Sequence, residues 1–175
     1  MSCNNAVMIR YQVKITPGSC NLVPDFVNII AANTTNNNVQ TITKVNGLDL
    51  GEEGTIEVPD WETKATISDG KRTLPQLEMQ YRIDSDLRAF NLFTWMFQNR
   101  SGLSADVQIF LCRRDWTVLY SYRYLDCQIR KHGQEGQELG QTKLGLIDTL
   151  FSPYDVQLLD AAGNLIVYQP PKVLP

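Results

Sequence analysis

A strand–helix–strand pattern between residues 74 and 112 constrains the fold of this chain more than any other feature. Apolar and polar residues alternate over 77–83, which is the pattern of a half-buried β-strand. Acidic residues then offer N-cap oxygens and negative charge to a helix that we predict over about residues 86–100. Gly102 is in a position to end that helix. Alternation returns over 107–111 and predicts a second strand.

The rest of the chain shows mostly the periodicity of strands. Residues 105–125 indicate a β-hairpin with a turn at Arg113–Arg114–Asp115. An apolar run, Phe26 to Ala32, is too short to assign to a helix or a strand. Further strands are predicted at 9–15, closed by Pro17-Gly18, and at 39–45, 144–150, 154–159 and 165–168. The sequence therefore predicts a mainly β fold with one helix.

Length and composition indicate one domain over residues 1–175. A chain of 175 residues with 43% hydrophobic content can bury one core plus extended arms. Residues 1–45 are expected to form N-terminal strands or an arm, and 169–175 an extended tail after two prolines. The net charge of −3 argues against a dedicated nucleic-acid binder. No signal peptide and no membrane-spanning run is predicted, so we expect synthesis in a cytoplasm and no membrane.

The segment 46–72 differs from its surroundings in periodicity, composition and charge. Periodicity fades, glycines and prolines rise, and six carboxylates gather before the first base, Lys64. One interpretation is a solvated surface loop. The alternative is a docking loop, because loops longer than about 15 residues are uncommon in compact domains unless they have a task. Trp61 supports docking, since a large ring on a loop gains most when it is buried against a partner.

The four cysteines do not predict a metal site. Cys3, Cys20, Cys112 and Cys127 are widely spaced and form no C-x-x-C pair. Free thiols packed as small hydrophobic groups are the simpler interpretation for a cytosolic chain. The alternative is that Cys3 and Cys20 form a disulfide between neighbouring copies after release into an oxidising medium.

Residues suited to catalysis do not converge, so we do not expect an enzyme. His132 is the sole histidine, it is expected in a Gly-rich loop, and no G-x-S-x-G motif accompanies it. The glycines near Lys143 do not match a phosphate-binding loop. Alternating tyrosines at 120, 122 and 124 are more typical of a core or a subunit contact than of base stacking. No cofactor or metal is expected.

Several motifs together resemble the tail tube proteins of contractile-tailed bacteriophages, a family related to the type VI secretion tube protein. The resemblance covers about residues 45–159. The motifs that carry it are Glu57-Val58-Pro59, Ile67-Ser68-Asp69-Gly70, Leu74-Pro75 with the strand after it, the helix with Trp95, and Asp106-Val107-Gln108-Ile109 before a Tyr-rich strand.

The resemblance implies two packed antiparallel sheets in a barrel-like sandwich, one flanking helix and a long extended loop. It implies a structural virion protein whose homohexameric rings stack into a hollow tail tube, assembled in the host bacterial cytoplasm. The implied partners are further copies, a tail sheath protein, baseplate and tail-terminator proteins, a tape-measure protein and genomic DNA passing through the lumen during ejection. The alternative is a baseplate or tail-terminator component forming a single ring.

The resemblance and the charge pattern together suggest roles for three sets of residues, and the basic set follows from the concentration of bases in the half of the chain after the acidic segment. The segment 46–72 corresponds to a loop that reaches the adjacent ring. A conduit for DNA is expected to repel phosphates, which favours a lumen lined by acidic and amide side chains. The predicted sets are Asp49, Glu52, Glu53, Glu57 and Trp61 in the inter-ring loop, Glu78, Gln80, Asp106 and Gln108 in the lumen, and Arg113, Arg114, Arg130 and Lys131 on a basic stacking surface.

Overall fold

The structure is a computed structural model that describes residues 10–59, 64–134 and 145–167. It is mainly β, as predicted, and every strand pairing is antiparallel. The strands are β1 Arg10–Asn21, β2 Asn38–Val39, β3 Ile42–Asn46, β4 Glu52–Pro59, β5 Lys64–Thr73, β6 Leu77–Arg82, β7 Leu103–Cys112, β8 Val118–Gln134, β9 Leu146–Ser152 and β10 Asp155–Asp160. The α-helices are α1 Phe26–Asn33 and α2 Arg88–Gln98, and a 3-10 turn spans Arg100–Gly102.

Strand β8 joins two sheets because its two halves have different partners. Its residues 118–127 pair with β7, and 120–125 pair with β10 on the other side. Its residues 128–134 pair with β9 instead. The first sheet has the order β2-β1-β7-β8-β10, and the second has the order β8-β9-β6-β3. One strand of 17 residues therefore connects the two layers that the resemblance implied.

The transition within β8 occurs at Asp126, which has a positive φ of 47°. Its carboxylate accepts hydrogen bonds from the Ser19 amide and hydroxyl at 2.6 Å each, and from the Ser104 hydroxyl at 2.9 Å. These bonds, led by that of the Ser19 hydroxyl, lower the pKa of Asp126. Strand β1 therefore does not end at Pro17-Gly18 as expected. It continues to Asn21 through a register shift.

The core lies between the sheets and α2, and the predicted alternation supplies it. Leu77, Met79 and Tyr81 of β6 are fully buried, whereas the alternate residues Glu78 and Arg82 are exposed. The Phe93 ring of α2 lies 5.3 Å from the Tyr81 ring and 5.9 Å from the Phe151 ring of β9, measured between centroids. Such aromatic pairs add stability beyond the area that they bury.

The two helices differ in how well the sequence predicts them. The expected acidic N-cap of α2 is wrong, because Leu87 occupies that position and makes no side-chain cap hydrogen bond. Helix α2 begins at Arg88, whose N–H donates to the Asp84 carboxylate at 3.1 Å. It ends at Gln98, and Gly102 lies in the following 3-10 turn rather than at the helix end. The sequence does not predict helix α1. Its Phe26 stacks on Trp95 of α2 at 5.7 Å, so tertiary packing decides its state.

Three other expectations change in detail. The segment 46–72 is not an irregular loop, because β4 and β5 form a two-stranded hairpin with Ile56 opposite Ile67. The single strand expected at 39–45 is interrupted by Thr41, which has a φ of 72°, and becomes β2 and β3.

His132 belongs to β8 rather than to a Gly-rich loop. Residues 135–144 and 168–175, which hold the rest of that loop and of the expected tail, lie outside the described residues.

Candidate assembly surfaces

The β4–β5 hairpin joins the rest of the structure through two glycines with positive φ. Gly47 and Gly51 have φ values of 84° and 95°, a region that L side chains rarely adopt. A Cβ at Gly47 would also collide with the Gln76 carbonyl oxygen. The buried Tyr124 donates its hydroxyl to the Gly47 carbonyl oxygen at 2.6 Å. The chain therefore leaves the core at a fixed point before it enters the hairpin.

Arg72 fastens the other side of the hairpin base to β10. Its Nε donates to the Leu50 carbonyl oxygen at 2.6 Å. One terminal nitrogen contacts the Asp155 carboxylate at 3.2 Å and the other donates to the Val156 carbonyl oxygen at 3.3 Å. The planar guanidinium can serve all three acceptors because its donors have a fixed fork geometry. Within the described residues, the hairpin strands pair only with each other.

The predicted inter-ring residues occupy the hairpin and the turn before it. The Asp49 carboxylate accepts the Gly51 N–H at 2.8 Å and so shapes the turn into β4. Glu52 is exposed at the first position of β4, and Glu53 and Glu57 follow in the same strand. Trp61 lies outside the described residues. The role of these residues in contacts between rings stays a prediction.

Two of the predicted lumen residues lie on β6. Asn46 donates from its amide nitrogen to the Glu78 carboxylate at 3.0 Å. Gln80 donates to the Asp148 carboxylate at 3.0 Å. Both side chains point away from the core, since the alternate residues of β6 are the buried ones. This outer face of the second sheet is therefore polar.

The other two predicted lumen residues lie on β7, in the first sheet. Asp106 accepts a hydrogen bond from Arg123 at 2.9 Å, and Gln108 donates to the Ser121 hydroxyl at 2.9 Å. Arg123 therefore offsets the charge of Asp106, an ion pair that sequence reasoning did not predict. The structure does not bring all four candidates onto one strand pair, because β6 and β7 belong to different sheets.

The four predicted basic residues separate into two pairs. Arg113 and Arg114 are exposed in the turn between β7 and β8. Arg130 and Lys131 are exposed in the second half of β8. From Val118 to Arg130 alone, β8 extends about 40 Å at a rise of about 3.3 Å per residue. The two pairs do not form one continuous patch. A basic stacking surface would therefore lie either at the turn between β7 and β8 or on the second half of β8.

The cysteines that the structure describes are free thiols. Cys112 and Cys127 are buried, as expected of small hydrophobic groups, and burial raises the pKa of both. Cys20 is exposed in β1. Its predicted partner, Cys3, lies outside the described residues, so the disulfide between copies stays a prediction.

His132 packs between α2 and the second sheet. Its Nε2 lies 3.1 Å from the Thr94 hydroxyl and its Nδ1 lies 3.3 Å from the Thr149 hydroxyl. The Phe90 ring lies 5.4 Å away, measured between centroids. Burial lowers the pKa of His132. This is the environment of a half-buried histidine that packs against the core.

Neither α1 nor α2 has the length and hydrophobicity that a membrane-crossing helix requires. In the described ranges, no three His, Cys, Asp or Glu residues come together in a way that would hold a metal ion.

The architecture defines the class of fold. Two antiparallel sheets share a long strand, two helices pack beside them, and a separate hairpin is fixed at its base. No family model and no curated protein gave a match to the sequence.

Solved structures do share the fold. A chain in the cryo-EM structure of the anti-feeding prophage (AFP) baseplate is 11% identical, with a TM-score of 0.65 over 92% of this chain and 99% of that one. A chain of the PVC extracellular contractile injection system, from the sheath-tube complex in the extended state, is 13% identical, with a TM-score of 0.61 over 86% and 88%. An Hcp protein crystal structure is 12% identical, with a TM-score of 0.51 over 89% and 96%. This chain therefore has the fold of tube-related contractile injection proteins, and the predicted resemblance is confirmed at that level.

Proposed function

We propose that this chain is a structural subunit whose rings stack into the hollow tube of a phage-type contractile tail. The observation that carries the proposal is that the structural similarity covers most of this chain and most of the chain with which it is compared. The chain and a chain of the PVC sheath-tube complex cover 86% and 88% of each other, so their similarity extends over the whole subunit rather than one shared motif.

The strand order supports assembly from identical copies. Strands β2 and β10 end the first sheet and β3 ends the second, and in the described residues each of the three pairs with one strand. Sheet edges recruit further strands unless they are covered, and a closed ring of copies covers them without leaving a free edge. The ring is expected to be hexameric, in keeping with the 6-fold symmetrised AFP baseplate. The hairpin would then connect successive rings.

The proposal extends to the partners that a tube of this kind needs. A sheath protein would surround the tube, baseplate and terminator proteins would bind its ends, and a tape-measure protein and the genome would occupy the lumen. Glu78 and Gln80 or Asp106 and Gln108 would face that lumen. In the Asp106 case, the ion pair with Arg123 would leave the surface close to neutral, so it would repel phosphate less than a free carboxylate does.

A second candidate is a baseplate component that forms one ring. The match to a baseplate chain favours it, and the fold is common to both roles. Negative-stain electron microscopy of the concentrated purified protein separates the candidates. Hollow filaments are expected of a tube subunit. Isolated rings would favour the baseplate candidate, and monomers at high concentration would contradict both.

A further inference from the structure

We propose that the turn between β7 and β8 is the surface that binds the acidic hairpin of a copy in the adjacent ring. This inference rests on the proposed function, because it identifies where one ring would contact the next. The surface consists of Arg10, Arg113, Arg114 and Trp116 and is called the arginine turn below. Its occupant is the segment 46–73 of a second copy.

The arginine turn combines positive charge with an exposed aromatic ring. Arg113 and Arg114 are exposed, and the Arg10 guanidinium lies 4.9 Å from the centre of the Trp116 ring. Trp116 itself is 53% exposed. Asp115 is the one acidic residue in the turn, and its carboxylate already accepts the Thr117 N–H at 3.0 Å. Tryptophan and arginine are the residue types most enriched among strong contributors to interfaces.

The backbone at Trp116 gives a second, independent reason. Its φ is 69°, a left-handed conformation that glycine or asparagine normally supplies at such a turn. The Trp116 N–H donates to the Arg113 carbonyl oxygen at 2.9 Å, and the Arg113 N–H donates to the Thr117 carbonyl oxygen at 2.9 Å, which holds the turn in this shape. A bulky residue in a strained and exposed position does not contribute to the stability of the fold. Such outliers concentrate at functional sites.

The charge distribution identifies the occupant. The segment 46–73 contains seven carboxylates and three basic residues, whereas the rest of the chain contains twelve carboxylates and thirteen basic residues. The net negative charge of the protein therefore resides in this one segment. Complementary charges select partners and speed their association. An arginine-rich turn and an acidic hairpin on identical copies are complementary in this sense.

The positions of the two surfaces fit a head-to-tail contact. The hairpin base is fixed at Tyr124 and Asp155, and Asp155 pairs with Leu125 of β8. The arginine turn lies before Val118, at the start of the same strand. About 20 Å of strand separates them. A stack without a two-fold axis needs two different complementary surfaces on each subunit, and this arrangement provides them at opposite ends of the first sheet.

The decisive test compares tube lengths by electron microscopy at low and high salt. The double variant Arg113→Glu, Arg114→Glu is expected to shorten tubes about tenfold or more while rings persist, because like charges then face each other. Adding Glu52→Lys and Glu53→Lys to that variant is expected to restore tubes. The matched control, Arg130→Glu with Lys131→Glu, is expected to leave tube length unchanged. Wild-type tubes are expected to shorten as salt screens the contact.

A second variant separates binding from folding. Trp116→Gly removes the backbone strain, so its melting temperature is expected to equal or exceed that of the wild type, while its tubes are shorter. Full-length tubes from both Trp116→Gly and the arginine double variant would overturn the inference and leave the proposed function standing. Shortening by the Arg130 and Lys131 control alone would place the contact there instead. A wild-type protein that forms no tubes would remove both proposals.

Discussion

The two-sheet body and the β4–β5 hairpin are held together in different ways. In the body, each central strand has neighbours on both sides, and alternate side chains enter a shared core. In the described residues, the hairpin strands pair only with each other, and the observed links to the body lie at its base. The body can therefore account for its own stability, whereas an isolated two-stranded ribbon is marginal in water. We infer that the hairpin gains most of its order from a neighbouring copy.

The largest effect on the body is expected from Phe93→Ala. Phe93 is fully buried against Tyr81 and Phe151, so truncation removes apolar contacts and leaves a cavity. The free energy of unfolding should fall by about 3–5 kcal/mol in chemical denaturation. The control, Phe97→Ala, changes a half-buried ring beside exposed Arg100 and should cost clearly less. Equal losses would show that α2 does not bury the face described here.

The second-largest loss of stability is expected from a substitution at Gly47, where the chain leaves the body and enters the hairpin. Gly47→Ala and Gly163→Ala both place a side chain at a φ near 85°, with values of 84° and 87°. That backbone strain costs about 1–2 kcal/mol. Only at Gly47 does the new Cβ meet a carbonyl oxygen, that of Gln76, whereas Gly163 faces open space. Thermal melts should therefore show a greater loss for Gly47→Ala by about 1–3 kcal/mol. Similar losses would contradict the fixed exit point.

Acid should weaken the body through His132. Its pKa in the folded state is lowered by burial, so the unfolded state takes up a proton first as the pH falls. Stability is then fully present above the unfolded value of about 6.5 and declines as the pH falls through it. Melting temperatures measured from pH 7.5 to 5 should show this decline. His132→Gln should flatten it, and an unchanged slope in that variant would assign the decline to other groups.

Arg72→Ala should have the smallest effect on body stability. The Arg72–Asp155 ion pair is 45% and 41% exposed on its two sides, and exposed pairs contribute only about 0.2–1 kcal/mol. The same change should shorten tubes, since the hairpin base loses its link to β10. Arg82→Ala is a suitable control, because Arg82 is exposed on the neighbouring sheet. A large loss of melting temperature in Arg72→Ala would make the hairpin part of the folding core.

Strong periodicity made the body predictable from the sequence. The alternation in β6 and β7 and the apolar face of α2 placed these elements within a few residues of their positions. Helix α1 was missed because eight residues are too few to separate a helix from a buried strand by pattern alone. The sequence predicts a loop where the hairpin lies, because the glycines and carboxylates of this segment lower its strand propensity. Pairing of β4 with β5 overrides that propensity once the hairpin forms.

The candidate assembly surfaces were less predictable than the fold. Residue types suggested which side chains are charged or aromatic, but not which of them meet. The contacts between Arg72 and Asp155, and between Arg123 and Asp106, join residues that are 83 and 17 positions apart. Trp116 was visible as an aromatic residue, yet its strained backbone depends on the turn that β7 and β8 impose. Long-range pairing is not encoded in local periodicity.

The most direct test of the account compares the wild type with a variant in which residues 52–73 are replaced by a short Gly–Ser linker. Electron microscopy should show hollow tubes for the wild type and single rings for the variant. The two melting temperatures should agree within about 4 °C, because the hairpin contributes little to the body. Tubes formed by the variant, or a variant that no longer folds, would contradict the division between a self-sufficient body and an assembly hairpin.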